Sequence, residues 1–313
     1  MAKRVERIIV GVDVAKDTLE IHRRDTDEVV SIQNTDEAIE DFLKKLPGPA
    51  SVAIEATNRY HELFVALAFT SGHAIYLIDA LRLSRYRDAI GGRAKTDRSD
   101  AQLLSRYLER EGADLKPLTP LKAEEKRIWT ELRRRARVVQ ACAALKLSLK
   151  DISKTRTTAL FRELKALSDS LERSAVRLAV KLGWGPDMER VKALPGVGPL
   201  TALALVACYR RLPFLNADKF VAYMGLDVRV RDSGRMRGKR KLTKKGDAEL
   251  RRLLFLAGRG ARRKEGRFKR LFEGMLQRGF SKTAADVAMG RKLARIAFAL
   301  MRTETDYRPA QAT

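Results

Sequence analysis

Residues 7–17, RIIVGVDVAKD, hold a nearly continuous apolar run from Ile8 to Val14, broken by one acidic residue, Asp13. A run of that kind suits a strand covered on both faces. An acid near its carboxyl end stands where open sheets usually bind ligands. Further on, Thr18 to His22 alternates and Val29 to Gln33 follows it, so three strands in succession predict an antiparallel meander. Asn34 or Thr35 can cap a helix through Leu46 with Ile39, Phe42 and Leu43 inward, and Pro47-Gly48-Pro49 stops it. Ser51 to Glu55 reads as a fourth strand, Tyr60 to Ser71 as a helix ended by Gly72, and Ala74 to Ile78 as a fifth strand.

The order βββαβαβ is that of ribonuclease H-like folds, in which the strands bearing Asp13 and Glu55 are neighbours and both acids face one crevice. Two more acids, Asp97 and Asp100 in AKTDRSDAQLLSRY (residues 94–107), sit at the mouth of a helix running to Arg110. Asp97 can cap it, and a residue three further on shares its face. Each carboxylate pair gathered within about 4 Å would repel by about 4 kcal/mol at an effective dielectric near 20. The four oxygen donors suit Mg²⁺ or Mn²⁺, and two such ions would make a two-metal phosphoryl-transfer centre. Each acid also has an ordinary reading: Asp97 a cap, Asp100 a first-turn residue, Glu55 a strand-end charge. Asp17 and Asp79 are rival ligands.

Charge is uneven. Residues 1–120 carry 18 Lys and Arg against 20 Asp and Glu, a net of −2, so +27 lies in the remainder of a chain whose total is +25. That excess is the electrostatic footprint of a polyanion, with nucleic acid the leading partner. The basic runs lack an aromatic amphipathic face, which disfavours an anionic membrane. With 313 residues and 45% apolar content the chain can form more than one core. It has no apolar stretch of spanning length and no leader pattern, so cytoplasmic residence is expected, at the nucleoid when bound. Cys142 and Cys208 lack ligand spacing, and His22, His61 and His73 are scattered, so neither zinc nor a disulfide framework is indicated.

Beyond Pro117 to Pro120 the pattern turns helical. Ile128, Leu132, Val139, Cys142, Leu145, Leu149 and Ile152 predict one long helix. After a polar break at Lys154 to Thr158, Leu160, Leu164, Leu167, Leu171, Ala175 and Leu178 alternate steps of four and three, the spacing of a coiled-coil seam. The pair reads as a helical hairpin, a spacer or dimer contact. Arg133, Arg134 and Arg135 could touch phosphate or simply form a solvated face. ALPGVGPLTALALVA (residues 193–207) places Gly196 and Gly198 between two helices, either as a hairpin whose backbone N–H groups hold phosphate or as a tight turn with Pro199 starting the next helix. Residues 228–255, VRVRDSGRMRGKRKLTKKGDAELRRLLF, set Ser233 among Arg229, Arg231, Arg235, Arg237, Lys239, Arg240 and Lys241. A Ser-Gly pair is usually a turn, and no adjacent histidine could serve as base for the hydroxyl.

GVDVAKD, IEATNRY, AKTDRSDAQLL, LPGVGPLTA and YMGLDVRVRDSGRMRGKRKLTKKGDAELRRLLF, in that order and almost end to end, resemble the DEDD-type insertion-sequence transposases of the insertion-sequence one-ten family. The resemblance implies an α/β plus all-α chain with a RuvC-like domain at 1–116, a coiled-coil hairpin at 117–187 and a helical transposase domain at 188–313. It implies DNA recombination that is serine-dependent and metal-assisted, with a structured non-coding guide RNA pairing to DNA. Asp13, Glu55, Asp97 and Asp100 fall on the acidic quartet, and Ser233 on the nucleophilic serine. The site could be completed within one chain or between subunits of a dimer or tetramer. The Ser233 loop is denser in Arg and Lys than the motif requires. The competing expectations are a Holliday-junction nuclease that hydrolyses DNA with the quartet alone, and a non-catalytic nucleic-acid-binding protein.

Overall fold

A computed structural model describes residues 8–55, 60–91, 97–229, 232–233, 236–237, 241–243, 246–263 and 266–309. The chain divides into two compact units, Met1–Pro120 and Leu121–Thr313.

The first unit is built on a five-stranded sheet: β1 (Ile8–Val14), β2 (Thr18–Arg23), β3 (Glu28–Gln33), β4 (Ala50–Glu55) and β5 (Ala74–Ile78), in the order β3-β2-β1-β4-β5. β1 pairs antiparallel with β2 and parallel with β4; β4 pairs parallel with β5. This mixed sheet has the ribonuclease H-like arrangement expected from the strand order. Period-2 alternation divides its faces. Val10, Val12, Leu19, Ile21, Val52 and Ile54 point into a core closed by α1 (Asp36–Lys44) and α2 (His61–Thr70). Ala53 and Ile78 point to the other face, against Leu103, Leu104 and Tyr107 of α4 (Asp97–Glu111).

Local capping explains most boundaries. Thr35, rather than Asn34, caps α1, its Oγ1 accepting from Ala38 N at 3.4 Å. The helix stops at Lys44, two residues short of the expected Leu46. In this unit one described α-helix was not expected: α3 (Ala80–Ala89), capped by Asp79, whose Oδ1 accepts from Arg82 N at 3.0 Å. That bond gives Asp79 a helix-capping role. Asp97 lies inside α4 rather than at its cap position.

In the second unit α5 (Ala123–Ser148) and α6 (Lys154–Lys181) form the hairpin, joined by residues 149–153. The expected break at Lys154 to Thr158 is instead the first turn of α6. Its threonines are accommodated by hydroxyl bonds from Thr157 and Thr158 back to Lys154 O, at 3.3 and 2.7 Å. Along α6 the inward residues are Ser168, Ala175 and Ala179, while Leu160 and Leu167 of the expected seam stand 42% and 49% exposed. Arg135 Nε donates to Glu172 Oε2 at 2.9 Å and ties the two helices.

One continuous core then unites the base of the hairpin with α7 (Gly185–Lys192), α8 (Pro199–Arg211), which is buried from Leu200 to Cys208, α9 (Ala217–Tyr223), α10 (Ala248–Ala261), α11 (Arg267–Gln277) and α12 (Lys282–Thr303). Between α9 and α10 the chain leaves this core as a ribbon. β6 (Val228–Arg229) pairs with β9 (Lys241–Leu242), and β7 (Asp232–Ser233) with β8 (Met236–Arg237). Among the described residues no helix is long and apolar enough to cross a membrane.

Candidate functional site

Parallel register sets Val12 beside Ile54, so Asp13 and Glu55 are the next residues on neighbouring strands. Both belong to the face opposite Val12 and Ile54, the face that α4 covers. A third carboxylate, missed in the sequence, joins this row: Glu20 on β2 lies directly across from Asp13 in the antiparallel register. The alternation of Thr18 to His22 could have shown it, because Leu19 and Ile21 face the opposite core. Like charges set directly opposite one another in a sheet repel.

Two features seat α4 against the sheet. A side chain at Gly11 would place its Cβ 2.1 Å from Ala101 O and 2.6 Å from Ser105 N, so the missing side chain lets the helix touch the strand. Beside it, fully buried His22 stands opposite Gly11 on β2 and hydrogen-bonds through Nδ1 to Ser105 Oγ at 2.6 Å. Its Nε2 bonds Asp27 Oδ1 at 3.0 Å. His73 is likewise structural, its Nδ1 accepting from Ala50 N at 3.0 Å.

Asp97 lies one helical turn before Ala101, and its side chain is outside the described residues. Asp100 adjoins Ala101. Its carboxylate is buried, 6% exposed, and held by Arg87 of α3 at 2.6 Å. The structure therefore brings Asp13, Glu55 and Glu20 onto one row and engages Asp100 with an arginine that sequence reasoning did not mark. Among the described residues no three His, Cys, Asp or Glu side chains converge closely enough to hold a metal ion.

A further organiser is Asn34. Its Nδ2 donates to Ala15 O at 3.2 Å and Tyr60 O at 3.1 Å, with Lys16 O at 3.4 Å. It thereby ties the chain leaving β1, just past Asp13, to the chain entering α2, just past Glu55. Asp17, the other rival ligand, meets the same residue through its backbone: Asn34 N donates to Asp17 O at 3.0 Å.

In the second unit Ser233 closes the β7–β8 ribbon opposite Met236, and Asp232 lies opposite Arg237. Arg229 and Lys241 occupy facing positions lower on the ribbon. Of Ser233, Arg229, Arg237 and Lys241 the structure describes the backbone only; Arg231, Arg235, Lys239 and Arg240 lie outside the described residues.

The two glycines of the helical hairpin have different surroundings. Gly196 has φ +80°, and a Cβ there would come 2.3 Å from Ala257 O and 2.4 Å from Ala261 N, so α10 packs onto it. Gly198, at the N-cap position of α8, borders open space. Cys208 is buried in α8, and burial pushes its thiol well above the ordinary range, so it is no nucleophile.

Comparison with known proteins bears on both units. The family described as "Transposase", of the DEDD IS110 type, matches residues 10–155. The "Transposase IS116/IS110/IS902 family" matches residues 188–273. A probable family 20 transposase of Pseudomonas aeruginosa PAO1 is 28% identical over 342 residues, 96% of this chain and 98% of that protein. A pilin gene-inverting protein of Moraxella bovis is 26% identical over 80% of this chain and 79% of its own length. Among solved structures, Thermus thermophilus RuvC in complex with a Holliday junction substrate is similar at 12% identity and a TM-score of 0.26, covering 36% of this chain and 100% of that one.

Proposed function

We propose that the chain is a transposase of the IS110 family, whose models match residues 10–155 and 188–273, and that it cuts and rejoins DNA with the acidic crevice of the first unit and the Ser233 ribbon of the second. The observation that carries this reading is the side-by-side emergence of Asp13 and Glu55 onto the face beneath α4. With Asp97 and Asp100 they form the quartet, and the three parts are the catalytic domain 1–116, a coiled-coil hairpin 117–187 and the serine-bearing domain 188–313.

The donor set fits divalent ions, since it offers hard carboxylate oxygens on neighbouring strands. Asp13, Glu55, Asp97 and Asp100 would hold Mg²⁺ or Mn²⁺, Asp100 after parting from Arg87. Such ions, when bound, supply charge neutralisation at a scissile phosphate and acidify an attacking hydroxyl. Ser233 Oγ then attacks phosphorus, loses its proton, and forms a P–O bond as the bond to one DNA strand breaks, leaving that strand a free hydroxyl. The phosphodiester stays on the protein, so its bond energy is retained for rejoining to a new strand end.

Arg229, Arg231, Arg235, Arg237, Lys239, Arg240 and Lys241 draw the DNA backbone to the serine, and Gly198 offers backbone N–H groups at a helix start. The charge outside residues 1–120 supports a second polyanion, a structured non-coding RNA that guides the protein to its DNA, and the working form is a dimer or tetramer.

Trapping tests the reading. Incubation with cognate ends and Mg²⁺ should give a covalent protein–DNA adduct that disappears in Ser233→Ala. Free hydroxyl and phosphate ends without an adduct would instead indicate hydrolysis by the quartet alone. Sequencing RNA copurified with the protein tests the guide: recovery of random transcripts only would remove it.

A further inference from the structure

The foot of the serine ribbon is closed by Thr243 N donating to Asp227 O at 2.8 Å. Three residues on, Gly246 lies against the turn that ends α9: a Cβ there would meet Tyr223 O at 2.6 Å. Next to this contact is a cavity of about 290 Å³, with Trp129, Arg133, Arg211, Tyr223, Gly246 and Asp247 in its wall. Its two rings are braced. Trp129 packs on the core of the unit, and Tyr223, 39% exposed, meets Phe214 edge-on with centroids 5.3 Å apart. Burial raises the Tyr223 phenol above its ordinary range, which keeps its proton available for donation.

The charges are arranged differently from the rings. Arg133 Nε donates to the backbone oxygen of Trp129 at 3.2 Å, and both residues line the cavity. Among the described residues neither Arg133 nor Arg211 has a carboxylate partner. The acid of the wall, Asp247, is engaged elsewhere: its Oδ1 accepts from Glu249 N at 2.7 Å and Leu250 N at 3.3 Å, capping α10. The cavity thus offers aromatic faces and unpaired cations together.

We propose that this cavity receives one unpaired nucleotide, its base stacked on Trp129 and Tyr223 and its flanking phosphates held by Arg133 and Arg211. The volume lies at the bottom of the roughly 300–1,000 Å³ range of small-ligand sites, too small for a duplex and suited to a single planar group. Aromatic rings with arginines are how proteins hold splayed bases, and such stacking is tolerant of sequence. The inference rests on the nucleic-acid reading above and deepens it. A base seated at the ribbon's foot would keep one strand open next to the hairpin that carries Ser233. The strand could be DNA or RNA, since the same chemistry serves both.

The test uses the intact protein and three oligonucleotides: a DNA duplex with a single bulged 2-aminopurine, the same duplex fully paired, and a matching duplex whose bulged nucleotide is a ribonucleotide. One or both bulged duplexes should bind about 5- to 150-fold tighter than the paired one, with quenching of the bulged base. The tighter of the two names the source. The double variant Arg133→Gln/Arg211→Gln, at solvent-accessible positions, should lose this preference, leave paired-duplex binding in place and lower the salt slope by about 2. Tyr223→Leu should lose the quenching. Equal affinity for paired and bulged duplexes, or a preference that survives the double variant, overturns the pocket alone. Failure to bind any of the three would sink the parent reading with it.

Discussion

Asp13 stands on a seven-residue strand hydrogen-bonded on both sides, whereas Ser233 stands on a two-residue strand paired on one side. The acids are set by the register of a sheet, by a glycine that lets α4 touch it and by a buried histidine that bonds the helix. The serine is set by short strand pairs whose foot is held at Asp227 and Gly246. Preorganising charged groups needs rigid support, because carboxylates must stay close despite their repulsion. In the proposed reaction the nucleophile becomes bonded to DNA and must later release it, which is the opposite requirement. The contrast predicts that substitutions under the acids will be felt in stability, and those on the ribbon chiefly in chemistry.

The sharpest way to break that contrast is Arg87→Met. It leaves the Asp100 carboxylate buried without its cation, a change that typically costs about 3–5 kcal/mol. Chemical denaturation in chelator should show that loss. If Asp100 is a metal ligand, Mg²⁺ or Mn²⁺ should raise the melting temperature of Arg87→Met more than that of the parent protein. Equal shifts in both would mean that the Arg87–Asp100 pair is structural and Asp100 lies outside the metal site.

Gly11→Ala comes next. Its Cβ would collide with backbone, which side-chain rotation cannot relieve, so α4 must move away from β1 at a cost of about 1–3 kcal/mol or more. Because α4 carries Asp97 and Asp100, recombination should fall further than the stability loss alone explains. A variant that melts normally would show that the helix tolerates a shift of its register. Gly196→Ala is the counterpart in the second unit. It combines a left-handed φ with a clash against α10, and about 1–3 kcal/mol is again expected, read by thermal unfolding. Divalent ions should leave its melting temperature unchanged relative to the parent, since no acid of the quartet lies in that unit.

What was legible beforehand divides along the same line. Strands could be read because apolar alternation and turn residues are local signals, and β1, β4 and β5 fell within a residue or two of their expected bounds. Asp13 and Glu55 followed from strand order. The Arg87–Asp100 pair could not be read, because it joins two helices whose approach depends on tertiary packing, and α3 itself is polar along most of its length. The hairpin seam was legible only in part, for a related reason: Ala175 is buried as expected, but the leucines spaced for a coiled coil at Leu160 and Leu167 are half-exposed, and Ser168 and Ala179, outside that spacing, are buried instead. The aromatic and cationic cavity draws on α5, α8, α9 and the start of α10, with Trp129 and Asp247 at its two ends in the chain, and no window of sequence unites them.

Asn34→Ala should show the smallest change in stability and refine the comparison most. The amide donates to Ala15 O and Tyr60 O across a partly exposed position, and neutral bonds of this kind contribute about 1 kcal/mol each at most times. Their positional effect is larger than their energy, because they fix the distance between the two chain segments that follow Asp13 and Glu55. Loosening those segments by an ångström can cost about 10²-fold in a positioned reaction. The expected result is therefore a near-parental melting curve with recombination down by one to two orders of magnitude. Raising the Mn²⁺ concentration should recover part of it, as a loosened ligand pair needs more ion to fill. Asn34→Asp, which keeps the size but replaces the amide donors with acceptors, should do no better than alanine. Parental recombination in both variants would mean that the strand ends hold the acids unaided, and that the rigidity credited to this side of the molecule resides in β1, β4 and α4 alone.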